Sequence, residues 1–149
     1  RNLGGMYYNG DGVALDKKKA AELYKKACDG GEMLGCAKLG VMYYNGDGVT
    51  VDKKKAVELY TKACDGGEMA VCVSLGFMYF GGDGVIENKK KAAELYTKAC
   101  DGGAMAGCVS LGVMYYAGVG VVQDKKEAVE LFKKACDGGY TDACKNISE

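Results

Sequence analysis

The chain has 149 residues, 48% of them hydrophobic, which is enough apolar material for a packed core. Its 20 Lys and Arg balance 20 Asp and Glu at zero net charge, which argues against nucleic acid or an anionic membrane as the main partner. Histidine is absent, no apolar run approaches a membrane span, and no signal peptide is visible.

Leu3 and Gly4 near the start return 36 residues later as Leu39 and Gly40. The same step carries Cys28 to Cys64, Cys100 and Cys136, and Cys36 to Cys72, Cys108 and Cys144. A Gly-x-Gly turn keeps the register at Gly10/Gly12, Gly46/Gly48, Gly82/Gly84 and Gly118/Gly120. A fixed period of this length marks a stack of like units, each stable only through its neighbours. The expected division is a repeat over residues 1–31 that starts inside its first helix, repeats over 32–67, 68–103 and 104–139, and a C-terminal capping helix over 140–149. The position matching Cys36 would fall just before Arg1, so the chain is expected to be a piece of a longer array.

Each unit reads as two helices. In "EMAVCVSLGFMYFGG" the residues Cys72, Leu75, Gly76 and Tyr79 fall on one face of a first helix, helix A, which stops at a glycine cluster before "DGV". In "DKKKAVELYTKACDGG" the residues Ala56, Leu59, Tyr60 and Ala63 share one face of a second helix, helix B. Asp52 stands at its N-cap, and Asp16, Asn88 and Asp124 hold that place in the other copies. Gly66 and Gly67 end it, since glycine takes the positive φ that terminates helices.

Each Cys-x7-Cys straddles that glycine pair. On one continuous helix the two Cα atoms would lie about 12 Å apart at a rise of roughly 1.5 Å per residue. A disulfide needs them within about 7 Å, so the chain must reverse, and the glycines allow it. Even number, fixed spacing and a supporting turn favour four bridges, Cys28 with Cys36, Cys64 with Cys72, Cys100 with Cys108 and Cys136 with Cys144. Zinc is disfavoured by this spacing and by the missing histidine. Reduced, buried cysteines in a cytosolic repeat protein are the competing reading. Disulfides would place the chain in an oxidising compartment, the periplasm or the cell exterior.

The stretches "LGVMYYNGDGV", "KKKAVELYTKAC" and "DGGEMAVC" resemble Sel1-like repeats, and the Cys-x7-Cys of each unit resembles the cysteine-rich subgroup known as Helicobacter cysteine-rich proteins. The resemblance covers essentially the whole chain. It implies an all-α, right-handed αα-hairpin solenoid of 36-residue Sel1-like repeats, disulfide-stapled and related to tetratricopeptide repeats, from which it differs in period and in having no proline. It also implies secretion and a penicillin-binding or weak β-lactamase activity, hence a β-lactam or peptidoglycan-like ligand. In the tetratricopeptide arrangement the Leu-Gly-x-x-Tyr residues pack inside, and the positions just after Gly and Tyr of helix A face the groove. Carried over, that stripe is Val41, Tyr44 and Asn45, then Phe77 and Phe80, then Val113, Tyr116 and Ala117. An apolar, aromatic stripe marks a peptide or protein site, unless these side chains are core between repeats.

Other chemistry is thinly supported. The runs Lys17 to Lys19, Lys53 to Lys55 and Lys89 to Lys91 read as a solvated face, because cations gain nothing at a helix N-terminus. "DGVTVDKKKAVE" has acids at the ends of a calcium-loop length, but Val49 and Val51 occupy ligand positions. A serine β-lactamase needs Ser-x-x-Lys, whereas Ser74 and Ser110 are followed by Leu-Gly, and a zinc enzyme needs histidine. No catalytic residue, metal or cofactor is expected, and the balance is against an enzyme. The expected function is a secreted or periplasmic scaffold that binds peptides or proteins through helix A, with β-lactam binding or turnover as the alternative. A recently duplicated or engineered array with a scaffolding role is the remaining reading.

Overall fold

The computed structural model describes residues 3–10 and 16–147, and every regular element among them is helical. The helices are α1 (Leu3–Asn9), α2 (Lys17–Asp29), α3 (Met33–Asn45), α4 (Lys53–Asp65), α5 (Met69–Gly81), α6 (Lys89–Asp101), α7 (Met105–Ala117) and α8 (Lys125–Asp137). The odd-numbered helices are the expected helix A copies and the even-numbered ones helix B. Gly12, part of the first expected Gly-x-Gly turn, and Arg1 lie outside the described residues. The segment expected to cap the stack forms a 3-10 helix at Thr141–Asn146, packed on α8 with Ala143 buried.

The chain divides into two compact units, residues 1–68 and 69–149. In the first, α1 packs on α2, α2 on α3, and α3 on α4. Its core gathers Ala20, Ala21, Tyr24, Leu39 and Met42, with Tyr7, Tyr8, Tyr43, Val49 and Leu59 packed around them. In the second, α5 packs on α6, α6 on α7, and α7 on α8. There Leu75, Met78, Tyr96, Leu111, Met114 and Phe132 are buried.

The helix B boundaries follow from local chemistry. The Asp52 carboxylate accepts from the Lys55 amide at 3.0 Å, and Asp16, Asn88 and Asp124 cap their helices in the same way. The cap is held from the other side too, because the Asp52 amide donates to the Tyr43 carbonyl at 2.9 Å and the Asn88 amide to that of Tyr79 at 2.8 Å. Helix A is thereby tied to the first turn of helix B. At the far end only the second glycine takes a positive φ, 104° at Gly67. Gly66 has an ordinary backbone and is there for space, since a Cβ would lie 2.2 Å from the Met33 side chain. The helices of one hairpin also approach closely through glycine. A Cβ on Gly76 would sit 2.4 Å from the Tyr96 ring.

Candidate functional site

The cysteines are oxidised. Cys28–Cys36, Cys100–Cys108 and Cys136–Cys144 are bridged with Cα atoms 4.6, 4.6 and 4.9 Å apart. Cys64 and Cys72 are disulfide-bonded as well, and no cysteine among the described residues is free. Closing a loop this short contributes about 2–3 kcal/mol on the chain-entropy account.

The predicted stripe lies on the surface. Val41, Asn45, Phe77, Val113, Tyr116 and Ala117 are exposed, while Tyr44 and Phe80 are half-buried. Phe77 keeps 57% of its surface and Val113 keeps 53%, so neither is a core residue. Beneath them, the intervening Leu75, Met78, Leu111 and Met114 are buried.

The first lysine of each run has a partner that sequence reasoning missed. Lys17 lies over the Tyr8 ring, Lys53 over Tyr44, Lys89 over Phe80 and Lys125 over Tyr116, with Nζ to ring centroid distances of 5.0, 4.8, 5.0 and 5.1 Å. The backbone tie at the N-cap sets this geometry, because it holds the first lysine of helix B beside the last aromatic of helix A. Such cation–π contacts are worth about 0.5–1 kcal/mol at exposed sites. The signal was present as a lysine nine places after an aromatic, repeated at every 36-residue step.

In the first unit the contact is completed by a carboxylate. The Tyr8 hydroxyl donates to Asp47 Oδ2 at 2.5 Å, and Lys17 Nζ lies 2.9 Å from Asp47 Oδ1. Lys17 first and Tyr8 second hold the Asp47 carboxyl below the usual carboxylate range. The same hydrogen bond holds the Tyr8 hydroxyl above the ordinary phenol value. Within the second unit Phe80 stands 72 residues after Tyr8 and has no hydroxyl, and the residue 72 places after Asp47 is Val119. Lys89 turns instead to Glu87 in its own loop.

That exchange leaves an apolar pocket of about 340 Å³, walled by Phe77, Phe80, Tyr96, Val113, Ala117 and Val119. Tyr96 forms its floor, meeting Phe77 edge to face at 5.5 Å, and burial pushes its hydroxyl up to about 12. Ser110 is in the wall, and Ser74 is exposed elsewhere on α5. The pocket brings together Phe77, Phe80, Val113 and Ala117 of the predicted stripe. Tyr96 and Val119 were not anticipated, since one is on helix B and the other in a loop. The first unit has a larger recess of about 820 Å³ of different character, with Lys18, Lys25, Lys55, Glu22 and Asp52 around Tyr43 and Val49. No group of three or more metal-ligating side chains occurs among the described residues.

The Sel1 repeat family model matches residues 1–32, 34–68, 71–103 and 106–140. Helicobacter pylori cysteine-rich protein B is 40% identical, with a TM-score of 0.70 over 91% of this chain and 98% of its own. A protective antigen of uropathogenic Escherichia coli is 37% identical, with a TM-score of 0.94 over 98% of this chain. A Sel1 repeat protein from Oxalobacter formigenes is 30% identical, with a TM-score of 0.89 over 97%. This chain spans 31% of the length of the Escherichia coli antigen and 59% of that of the Oxalobacter protein. No curated protein matches. The chain belongs to the Sel1 repeat family, as a cysteine-rich member similar to Helicobacter pylori cysteine-rich protein B. It is an all-α repeat protein of disulfide-bonded αα-hairpins.

Proposed function

We propose that this protein is an extracytoplasmic scaffold that binds a peptide or protein partner on its helix A surface. The supporting observation is the apolar set of α5 and α7, with Phe77, Val113 and Ala117 exposed and Phe80 half-buried, gathered around one pocket above buried Leu75, Met78, Leu111 and Met114. Soluble proteins seldom leave such a cluster uncovered unless something docks there. Eight oxidised cysteines support the compartment, because thiols stay reduced in the cytosol. No helix among the described residues is long and apolar enough to cross a membrane.

The test is selection of peptides from a random displayed library on the oxidised protein, followed by titration of the winners against Phe77→Ala and Val113→Ala. The expected result is a loss of about tenfold or more in affinity, as for a truncated anchor, with the melting temperature unchanged. A collapse in melting temperature would make these residues core, and unchanged affinity would move the site elsewhere.

A further inference from the structure

No described cysteine is free, so the sulfur that stays reduced in this chain is in its methionines. Met42, Met78 and Met114 are buried in the core. Met33, Met69 and Met105 are half-buried, so water reaches them, as it does Met6 on α1. The three stand 36 residues apart, each the first residue of an A helix and each inside a Cys-x7-Cys loop. Each also lies on the glycine that follows the B helix of its own hairpin. A Cβ on Gly66, Gly102 or Gly138 would sit 2.4, 2.5 or 2.4 Å from the sulfur of Met33, Met69 or Met105. The contact closes the open end of the hairpins α3/α4, α5/α6 and α7/α8, away from the loop that joins their helices. None of the three lines the Phe77 pocket, so they are separate from the proposed binding surface.

We propose that Met33, Met69 and Met105 form a row of oxidation sites, at which hydrogen peroxide converts the thioether to a sulfoxide and loosens the open end of each hairpin. The sulfur attacks one peroxide oxygen, and the O–O bond breaks as the S–O bond forms. Sulfur is oxidised by two electrons, and the hydroxide released takes the proton of the transferred oxygen and leaves as water. The product side chain is polar and one atom larger. That atom has no room on the glycine side, where a Cβ already does not fit, so the oxygen turns to water and draws the side chain off the glycine. The disulfides hold the turns closed meanwhile, which makes the response a graded loosening rather than a collapse.

The experiment treats the disulfide-bonded chain, carrying Met6→Leu so that α1 does not contribute, with dilute hydrogen peroxide. Peptide mass spectrometry maps the added oxygen, and the melting temperature of the same samples is followed. Met33, Met69 and Met105 should gain oxygen about tenfold or more sooner than Met42, Met78 and Met114, which react only through local opening. The melting temperature should fall in steps of about 2–4 °C as each contact is lost. Replacing all three by leucine, a swap that nearly conserves volume, should make the melting temperature indifferent to peroxide. Equal oxidation of the buried methionines would overturn the site assignment, as would no reaction at the three under conditions that oxidise free methionine. Complete modification with an unmoved melting temperature would overturn the loosening, and a triple-leucine variant that still lost stability in peroxide would place the sensitive sulfur elsewhere.

Discussion

Residues 3–68 and 69–147 use the same helices, caps and glycines, yet they finish one small contact in opposite ways. In the first, Tyr8, Lys17 and Asp47 close on one another as hydroxyl, ammonium and carboxylate. In the second, Phe80 and Val119 stand in those places and an apolar pocket opens beside Phe77 and Val113. A repeat protein can thus hold its framework constant and make a site from two side chains. The difference also shows why neither change would suffice alone. Tyrosine facing valine would lose its acceptor, and phenylalanine facing aspartate would put a carboxylate on the pocket wall.

If the units differ only there, their frameworks should fail alike. Replacing both cysteines by alanine at Cys28/Cys36 or at Cys100/Cys108 should cost about 2–3 kcal/mol in either case, read from denaturant midpoints under oxidising conditions. A much larger loss on one side would show that the units are not framed equally. Gly40→Ala and Gly76→Ala should each cost about 1–3 kcal/mol through overpacking, because the new Cβ would lie 2.7 Å from the Tyr60 ring and 2.4 Å from the Tyr96 ring.

The polar closure is worth less. Tyr8→Phe removes one hydrogen bond and should cost about 0.5–1.5 kcal/mol. Asp47→Val should also change the acid limb of the stability curve. The folded Asp47 carboxyl titrates below its unfolded value, so its contribution is full above the usual carboxylate range and fades as pH falls through the depressed value. A variant with valine there should lack that part of the acid dependence, and an unchanged acid limb would show that the contact is idle in solution. In the other unit, Phe80→Tyr with Val119→Asp should leave stability nearly unchanged and abolish binding to the Phe77 pocket. Smallest is an alkaline effect. Burial raises the Tyr96 hydroxyl from about 10 in the unfolded chain to about 12, so wild-type stability should decline across that window, and Tyr96→Phe should decline less steeply, with the raised Tyr24 and Tyr60 hydroxyls still contributing.

What was legible from sequence was what neighbouring residues decide. The N-caps at Asp16, Asp52, Asn88 and Asp124 need only the amide three places on, and the cysteine pairs need only a turn between them. Of the stripe named from sequence the structure leaves six side chains exposed and two, Tyr44 and Phe80, half-buried, and the pocket that Phe77, Phe80, Val113 and Ala117 border was not foreseen. Val119 acquires meaning only opposite Phe80, just as Asp47 does opposite Tyr8, 39 residues away in sequence. The second and third lysines of each run are the exposed face they were read as, but the partner of the half-buried first lysine was hidden for a related reason. Their place at a helix N-terminus is electrostatically poor, and the compensation comes from an aromatic on the previous helix. Gly66 is part of the helix stop as expected, but with an ordinary φ, and the room left by its missing Cβ is taken by the Met33 side chain, which sequence does not show.

The short reach of the bridges bears on how the chain matures. Eight cysteines admit 105 pairings, a search that commonly leaves secreted proteins trapped in scrambled forms. Here each described bridge joins cysteines eight positions apart across a glycine turn. The correct partner is therefore the nearest thiol in the chain, available as soon as one turn has formed and before any distant contact exists. Oxidation can proceed turn by turn along the emerging polypeptide, with little need for an isomerase to correct it.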